Sequence, residues 1–378
     1  MNFNPFTPTF GTSPSHPVGR EEIIADFRTS LHQGPGAPSR AMLLVGTRGV
    51  GKTVLLNELE DTAREEGWLV VSETALPGLT TRLNDEHLPA LLASLDPHPT
   101  TRRITGITAP AGLGGIRSEV SPKHEPKRGI RGQLTTAAGL VNHGILITVD
   151  EIGRATVEEL AELMAVIQHL FRERANVAIA AAGLPEEVAA LLDHPGITFL
   201  RRANRRILGA VRREDAERGL ADPVTTAGAH WEDSALRAAV EATHGYPFLI
   251  QLIGYHAWNA AGGVSDGDAV AIDGAAAGNA IERAAVELGN LVIEPTLARC
   301  TALERAFLEA MALDDGDSRL ADLITRLEKS PDTVSQYRRR LLDRYIIVAT
   351  GHGLVRFAIP GMREYLRRSS EHGPLPFW

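Results

Sequence analysis

Short apolar runs alternate with amphipathic stretches through the first half of the chain. The stretches repeat hydrophobic residues with the period of a helix, as at 54–64 and 157–174. The apolar runs predict strands at residues 41–45, 68–71, 145–149 and 177–181. Because these runs are almost continuously apolar, we expect helices to cover both faces of the sheet. The alternation predicts a parallel α/β sheet over residues 18–200.

Three other segments follow different patterns. Residues 1–17 contain four prolines and few helix formers, so they predict an extended arm. Residues 97–132 contain five prolines and predict a surface insertion, either a mobile loop or a loop that reaches an acidic partner. Residues 201–296 are rich in alanine and predict a helical lid. The insertion carries a basic cluster, formed by Lys123, His124, Lys127, Arg128 and Arg131.

Residues 297–370 predict a winged helix-turn-helix domain, which a short tail at 371–378 follows. Helical periodicity predicts helices at 301–312 and 318–327. Ser330 followed by Pro331 is the start signal of a third helix. Apolar runs on either side of the turn at 351–353 then predict a hairpin, the wing.

The outward residues of this third helix are candidate DNA contacts, because that helix enters the major groove in winged helices. Glutamine and arginine can pair with base edges there. Asp332 and Asp343 on the same helix oppose DNA binding, and winged helices also dock proteins, so both kinds of partner remain open. The candidate contacts are Ser335, Gln336, Arg339 and Arg340, with Arg356 in the wing.

Composition changes this picture in two ways. The chain has 39 Lys and Arg against 47 Asp and Glu, a net charge of −8, which disfavours general binding to polyanions. Residues 297–378 nevertheless carry a net charge of +2, so nucleic acid remains possible there. Cys300 is the single cysteine, and no run of the sequence is long and apolar enough for a membrane helix or a secretory signal. We therefore expect a cytoplasmic protein that contacts no membrane.

The strongest motif fits G-x-x-x-x-G-K-[ST] and lies between a predicted strand and a predicted helix, as a phosphate-binding loop must. Its glycines let successive backbone N–H groups point at phosphate oxygens. Lys52 is expected to reach the β- and γ-phosphates, and the Thr53 hydroxyl is expected to bind Mg²⁺. The residues of the motif, all candidate nucleotide contacts, are Gly46, Thr47, Arg48, Gly49, Val50, Gly51, Lys52 and Thr53.

Two carboxylates follow the predicted strand at 145–149. The carboxyl end of a parallel strand opens on the ligand crevice, so Asp150 and Glu151 can face the phosphates. Asp150 is expected to bind Mg²⁺ with Thr53, and Glu151 to orient and deprotonate the attacking water. The histidines show no spacing of metal ligands, so no further metal is expected. The two motifs predict magnesium-dependent binding of a nucleoside triphosphate.

The combined pattern resembles the AAA+ and STAND-type ATPases, especially the origin-recognition-like and archaeal-ATPase-like members. The resemblance implies ATP as the nucleotide, with Val18, Gly19 and Arg20 near the adenine and Pro247 against the base. No guanine-reading Asn-Lys-x-Asp sequence occurs, which disfavours a small GTPase. The segments that carry the resemblance are Val18-Gly19-Arg20-Glu21, the phosphate loop, Asp150-Glu151, Gly183-Leu184-Pro185 and Gly245-Tyr246-Pro247, with the predicted winged helix.

The sequence departs from this family at two positions. Many AAA+ members carry a sensor arginine near Gly245-Tyr246-Pro247, but the nearest arginine here is Arg237. The strand at 177–182 ends in alanines where a polar sensor is usual. These departures favour a slowly hydrolysing, STAND-like switch over a fast motor. The resemblance further implies that Arg201 or Arg202 approaches the γ-phosphate, within one chain or from a neighbouring subunit.

The sequence thus predicts an ATP-dependent switch whose winged helix binds DNA or protein. Two alternatives remain open. One is an adaptor that binds nucleotide without hydrolysing it and docks proteins. The other is an AAA+ ATPase that loads or remodels DNA.

Overall fold

The computed structural model describes residues 3–9, 13–14, 17–95, 100–108, 115–122, 129–262 and 270–372. Its strands are β1 (Ala41–Val45), β2 (Leu69–Thr74), β3 (Thr100–Thr108), β4 (Gly115–Pro122), β5 (Ile145–Asp150), β6 (Val177–Gly183), β7 (Asn204–Ile207), β8 (His230–Trp231), β9 (Ala271–Ile272), β10 (Ser318–Arg319), β11 (Ile347–Gly351) and β12 (Leu354–Phe357).

Helices account for most of the remaining described chain. Turns of 3-10 helix lie at Pro38–Arg40, Ile152–Arg154 and Pro195–Arg202, and π-helical turns at Leu83–His87 and Gly289–Ile293. The α-helices are α1 (Glu21–Gln33), α2 (Lys52–Glu65), α3 (Leu79–Arg82), α4 (Leu88–Leu95), α5 (Ile130–Leu140), α6 (Val157–Arg172), α7 (Pro185–Asp193), α8 (Arg213–Thr226), α9 (Asp233–Thr243), α10 (Pro247–Ala260), α11 (Gly274–Leu288), α12 (Glu294–Ala298), α13 (Ala302–Ala312), α14 (Leu320–Leu327), α15 (Pro331–Asp343) and α16 (Met362–His372).

The central sheet has five parallel strands in the order β2-β5-β6-β1-β7. Side chains along β1 alternate between two hydrophobic cores, because successive residues of a strand point to opposite faces. Met42 and Leu44 lie in the core that α1 and α2 share, whereas Leu43 and Val45 lie in the core below α6 and α7. The predicted α/β class and the four predicted strands are confirmed.

The fifth strand corrects the sequence analysis, which ended the sheet at residue 200. Residues Pro195–Arg202 form a 3-10 helix, in which Ile197 and Leu200 are both buried. The chain kinks at Ile197, whose φ of −133° and ψ of +30° are not helical, so the apolar run is divided between two short turns and makes no strand. The strand is instead β7, a polar edge strand that includes Arg205 and Arg206 and pairs with β1.

The insertion at 97–132 is also more regular than predicted. Strands β3 and β4 pair antiparallel, from Thr100 opposite Pro122 to Thr108 opposite Gly115. Threonine and isoleucine recur through β3, and such β-branched residues favour strands. Arg131 lies in α5 and pairs with Glu173. The other members of the basic cluster, Lys123, His124, Lys127 and Arg128, lie outside the described residues.

The C-terminal part consists of α13, α14 and α15 with a three-stranded sheet in the order β10-β12-β11. Ser330 caps α15, and its hydroxyl accepts a hydrogen bond from the Thr333 N–H at 3.3 Å. Strand β10 takes Ser318 and Arg319 from the start of the predicted second helix, and α16 is an additional helix. The arrangement is compatible with a winged helix. None of the described helices is long and apolar enough to cross a membrane.

Candidate functional site

A cavity of about 480 Å³ opens at the carboxyl edge of the central sheet. This volume is within the usual range for small-molecule sites, which runs from about 300 to 1,000 Å³. Its walls come from the phosphate loop, from the ends of β5 and β6, from the start of α10 and from the N-terminal arm. Arg48 to Thr53, Asp150 and Glu151 line it, so the two predicted motifs share one site.

The phosphate loop has the backbone shape that its glycines predict. Gly49 and Gly51 have φ angles of +75° and +87°, in the left-handed region that glycine adopts without strain. A Cβ atom on Gly49 would lie 3.0 Å from Phe248 Cβ and 3.1 Å from the Tyr246 ring. The Tyr246 hydroxyl donates to the Arg48 carbonyl, and the Phe248 N–H donates to the Gly49 carbonyl at 3.1 Å. The first turn of α10 is therefore fastened to the loop.

Lys52 begins α2, and its ammonium lies against the loop. Its Nζ donates to the carbonyls of Gly46 and Thr47, both at 2.9 Å. Burial lowers the pKa of Lys52 to about 8, although the nearby Asp150 carboxylate acts in the opposite direction. A phosphate would offer this ammonium a charged acceptor, which makes a stronger hydrogen bond than a carbonyl does.

Thr53 and Asp150 meet as the sequence predicts. The Thr53 hydroxyl donates to Asp150 Oδ2 at 2.6 Å, and Asp150 Oδ1 accepts from the Glu151 N–H at 2.8 Å. A hydroxyl and a carboxylate side by side are the oxygen donors that Mg²⁺ prefers, so these two residues fit that ion. No cluster of three or more possible metal-ligating His, Cys, Asp or Glu occurs in the part of the chain that the structure describes.

Glu151 has a strained backbone. Its φ of +52° is in the left-handed region, which residues other than glycine rarely adopt. Residues with such strained backbones are found most often at functional sites. Its carboxylate lies at the cavity and forms an ion pair with Arg154, whose Nε is 2.5 Å away. The strand end thus turns Glu151 out of the sheet beside Asp150.

The residues expected near the adenine lie on the other side of the cavity. Val18, Arg20 and Pro247 line it, and Gly219 separates Val18 from Ile250. Gly19 has a φ of +73° and is packed against Val211, where a Cβ atom would lie 2.8 Å from that side chain. Burial lowers the pKa of Arg20, whose guanidinium donates to the Gly209 carbonyl.

Arg201 and Arg202, the two candidate contacts to the γ-phosphate, lie away from the cavity. Neither Arg201 nor Arg202 lines the cavity. Arg201 Nε donates to the Leu192 carbonyl at 3.2 Å, and its guanidinium lies 3.9 Å from Asp193. A role within the same chain finds no support in this geometry, and a role in a neighbouring subunit stays a prediction.

Two charged residues that sequence reasoning missed do line the cavity. Arg299, just after α12, lies 3.4 Å from Glu186 and 3.7 Å from Glu187. Glu187 packs over Gly153 and Gly183, where a Cβ atom on Gly153 would lie 2.1 Å from its carboxyl carbon. Glu187 therefore places a polar group beside the alanine-rich end of β6. Arg299 follows the Gly245-Tyr246-Pro247 segment by some fifty residues, so no local signal indicated it.

The candidate DNA contacts lie on the surface of α15 and the adjoining hairpin. Ser335, Gln336, Arg339 and Arg340 are exposed, as the helical period predicts. Arg339 lies 3.9 Å from Asp343, Arg340 lies over the Tyr337 ring, and Arg356 pairs with Asp317 at 2.5 Å.

Comparison with known proteins defines the class of the first half. Residues 16–180 match the family model described as AAA ATPase domain. The expected resemblance to AAA+ P-loop ATPases is thereby confirmed for that region. Residues 290–366 match a second family model, described as Domain of unknown function (DUF8462). Among curated proteins no relative matches this sequence.

Several solved structures are similar over most of the chain. The Thermotoga maritima RuvB Holliday junction branch migration motor is 16% identical, with a TM-score of 0.43 and coverage of 93% of this chain and 95% of that one. Cdc6p from Pyrobaculum aerophilum is 14% identical, with a TM-score of 0.47 and coverage of 96% of each chain. The Aeropyrum pernix ORC2 protein, in its ADPNP-ADP complexes, is 15% identical, with a TM-score of 0.43 and coverage of 97% of each chain.

Proposed function

We propose that this protein is an ATP-dependent switch that hydrolyses ATP slowly and uses its C-terminal region as the output. The phosphates of ATP bind along Arg48 to Thr53, where loop N–H groups and the Lys52 ammonium neutralise their charge. Thr53 and Asp150 would hold Mg²⁺, which would supply positive charge to offset the charge of the phosphates. Glu151 accepts a proton from the attacking water at the open side of the cavity.

One observation carries the proposal of a switch. Arg299 belongs to the segment 290–366, which matches a family of its own, yet it lines the same cavity as Lys52. Its guanidinium is balanced by Glu186 and Glu187. A triphosphate brings several negative charges to this cavity, and they compete with those carboxylates for Arg299. Nucleotide binding is thereby coupled to the position of the C-terminal region.

The test of hydrolysis is steady-state turnover of Glu151→Gln. We expect turnover to fall by about 100-fold, a typical contribution of a general base, while ATP affinity is retained. Glu158→Gln, an exposed change on the nearby helix α6, is the matched control and should leave turnover unchanged. If the wild type turns over no faster than Glu151→Gln, catalysis is refuted and the nucleotide-gated adaptor is the better description.

The output is proposed to be double-stranded DNA bound through α15 and Arg356, and the competing output is a docked protein.

The nucleotide that the purified protein retains indicates whether it is a slow switch or an ATPase that turns over freely. We expect retained ADP, because a switch that releases product slowly keeps it. A protein that purifies free of nucleotide would favour the alternative of an ATPase that loads or remodels DNA.

A contact between Arg201 or Arg202 and the γ-phosphate requires a neighbouring copy of the chain to supply the arginine. If a partner supplies the arginine, specific turnover should rise with protein concentration as copies associate, and Arg201→Ala with Arg202→Ala should abolish that rise. Turnover that is independent of concentration would exclude the role. A cytoplasmic location, which the single cysteine suggests, completes the proposal.

A further inference from the structure

The N-terminal arm is packed onto the lid helix α10. We refer to residues 3–9, 13 and 14 as the strap. Phe6 of the strap is only 2% exposed, although it lies close to the start of the sequence. Its ring occupies a notch at Gly254 of α10, where a Cβ atom would lie 2.3 Å from the ring. Only glycine leaves room for the ring at this depth, so the notch and Phe6 fit each other.

Hydrogen bonds fasten the strap on both sides of the cavity. On the α10 side, Asn4 Nδ2 donates to the Tyr255 carbonyl and to Asn259 Oδ1, both at 3.0 Å. The Thr7 N–H donates to the side-chain oxygen of Gln251, also at 3.0 Å. On the α2 side, Asn57 Nδ2 donates to the Ser13 hydroxyl at 3.0 Å. The strap therefore connects the lid helix to the helix that begins with Lys52.

Between these anchors the strap forms part of the cavity wall. Thr7, Pro8, Thr9 and Pro14 line the cavity together with the apolar side chains of Val18, Ile24 and Ile250. The Thr7 hydroxyl oxygen is buried and has no hydrogen-bond partner among the residues that the structure describes. A buried hydroxyl without a partner costs free energy, so this group favours a ligand with a polar edge.

We propose that the strap closes the apolar end of the cavity over the base of the bound nucleotide and slows its release. This inference rests on the proposed binding of ATP and ADP. The phosphate loop fixes one end of the nucleotide, and a purine base has flat apolar faces and a polar edge, which suit the prolines and the Thr7 hydroxyl. Release of the nucleotide then requires Phe6 to leave its notch at Gly254.

The dissociation rate of methylanthraniloyl-labelled ADP, measured by stopped-flow chase with unlabelled ADP, tests the strap. We expect Phe6→Ala to speed dissociation by about tenfold, which corresponds to about 1.4 kcal/mol. Phe3→Ala is the matched control, because Phe3 lies in the same strap but is 81% exposed. Phe6 does not line the cavity, so a change there acts on the nucleotide only through the strap.

Two further variants separate the strap from a general loss of folding. Gly254→Ala forces the ring out of its notch from the α10 side and should reproduce the effect of Phe6→Ala. Ser13→Ala removes only the acceptor for Asn57 and should give a smaller acceleration. The unfolding temperature of each variant, measured with saturating nucleotide, shows whether the fold is intact.

The base contact of Thr7 has its own readout. Thr7→Val keeps the shape of the side chain but removes the hydroxyl, so affinity for ADP should fall by about fivefold, or about 1 kcal/mol. Affinity for inorganic pyrophosphate, which has no base, should not change. An equal loss for both ligands would overturn the assignment of Thr7 to the base.

Failure of the strap and failure of the proposed function give different results. If wild-type protein binds no labelled nucleotide, the proposed function fails. If it binds nucleotide and Phe6→Ala and Gly254→Ala fold but release it at the wild-type rate, the strap is overturned while nucleotide binding stands.

Discussion

Two regions of this molecule present basic side chains that the sequence assigns to a nucleotide or to nucleic acid, and they differ in how those side chains are held. Lys52 is half-buried, receives its position from the start of α2 and contacts two loop carbonyls. Arg339 and Arg340 extend from α15 into solvent, where Asp343 and Tyr337 are their neighbours. The first region is a shaped cavity, and the second is an open surface.

The difference shows where a positively charged side chain binds an anion most strongly. Charges interact strongly where burial lowers the effective dielectric constant, whereas exposed charges are screened by water and salt. The Lys52 ammonium is partly desolvated, so it gains much from an anion. The arginines of α15 already have water and neighbours, so each gains little from one exposed contact with nucleic acid.

Replacement of Lys52 should have the largest effect. We expect Lys52→Met to weaken binding of ADP and ATP by about 100-fold, because the variant leaves the phosphates in a buried site without their main counter-charge. Isothermal titration calorimetry measures this change. Lys329→Met, which replaces an exposed lysine near α15, should leave affinity unchanged, and similar losses in both variants would refute the contrast between the regions.

The pH dependence of nucleotide binding sharpens the same contrast. Burial lowers the pKa of Lys52 from the ordinary 10.5 to about 8, and bound phosphate must raise it again. Above pH 8, binding then takes up one proton, so affinity should fall by about tenfold per pH unit. Titrations from pH 7 to 9.5 measure the slope, and a flat profile would contradict it.

The same pKa makes a second prediction, for the nucleotide-free protein. The unfolded chain binds a proton at Lys52 up to about pH 10.5, whereas the folded chain loses it near pH 8. The free energy of unfolding of the wild type should therefore rise with pH between these values, relative to Lys52→Met. Denaturant titrations of both proteins test the sign.

Replacement of Arg299 connects the two regions. We expect Arg299→Ala to lower the ratio of ATP affinity to ADP affinity by about tenfold, a typical coupling between sites, because the γ-phosphate loses its partner in the segment 290–366. Amide hydrogen exchange in α13 to α15 should also cease to differ between the ATP and ADP states. Arg305→Ala, on neighbouring α13, is the control. A merely structural Arg299 would change stability without changing the ratio.

Replacement of the α15 arginines should have the smallest effect. If this surface binds DNA, Arg339→Ala with Arg340→Ala should weaken binding by about threefold and reduce the slope of log affinity against log salt by about one unit per arginine. Arg283→Ala, on α11, is the matched control. If the wild type binds no DNA, with or without ATP, the DNA output is refuted and a protein partner is the better description.

Much of the fold could be predicted because its signals are local. The phosphate loop lies between β1 and α2 as its motif requires, and the run that ends in Asp150 is a buried strand. The start of α15 follows from Ser330 and Pro331, since a cap is a matter of neighbouring residues. Strand β7 was missed because an edge strand carries polar residues, so its segment was assigned to the helical lid instead.

Only part of the candidate site could be predicted from the sequence, for a related reason. Lys52, Thr53, Asp150 and Glu151 belong to motifs whose chemistry depends on spacing along the chain. Glu187 and Arg299 belong to none, and they are brought together by the packing of α7 against the segment after α12. Phe6 and Thr7 gave no signal either, because a proline-containing arm has no periodicity to indicate its position.

The sequence by itself determined the phosphate loop, the strand that carries Asp150 and the alternation of a parallel sheet, because hydrogen bonding and side-chain periodicity act over a few residues. Only the tertiary structure decided that Arg299 reaches the cavity and that Phe6 fastens the strap to α10. Those contacts join residues far apart in the chain. They exist because α10 and the segment after α12 fold back over the sheet, which no local pattern encodes.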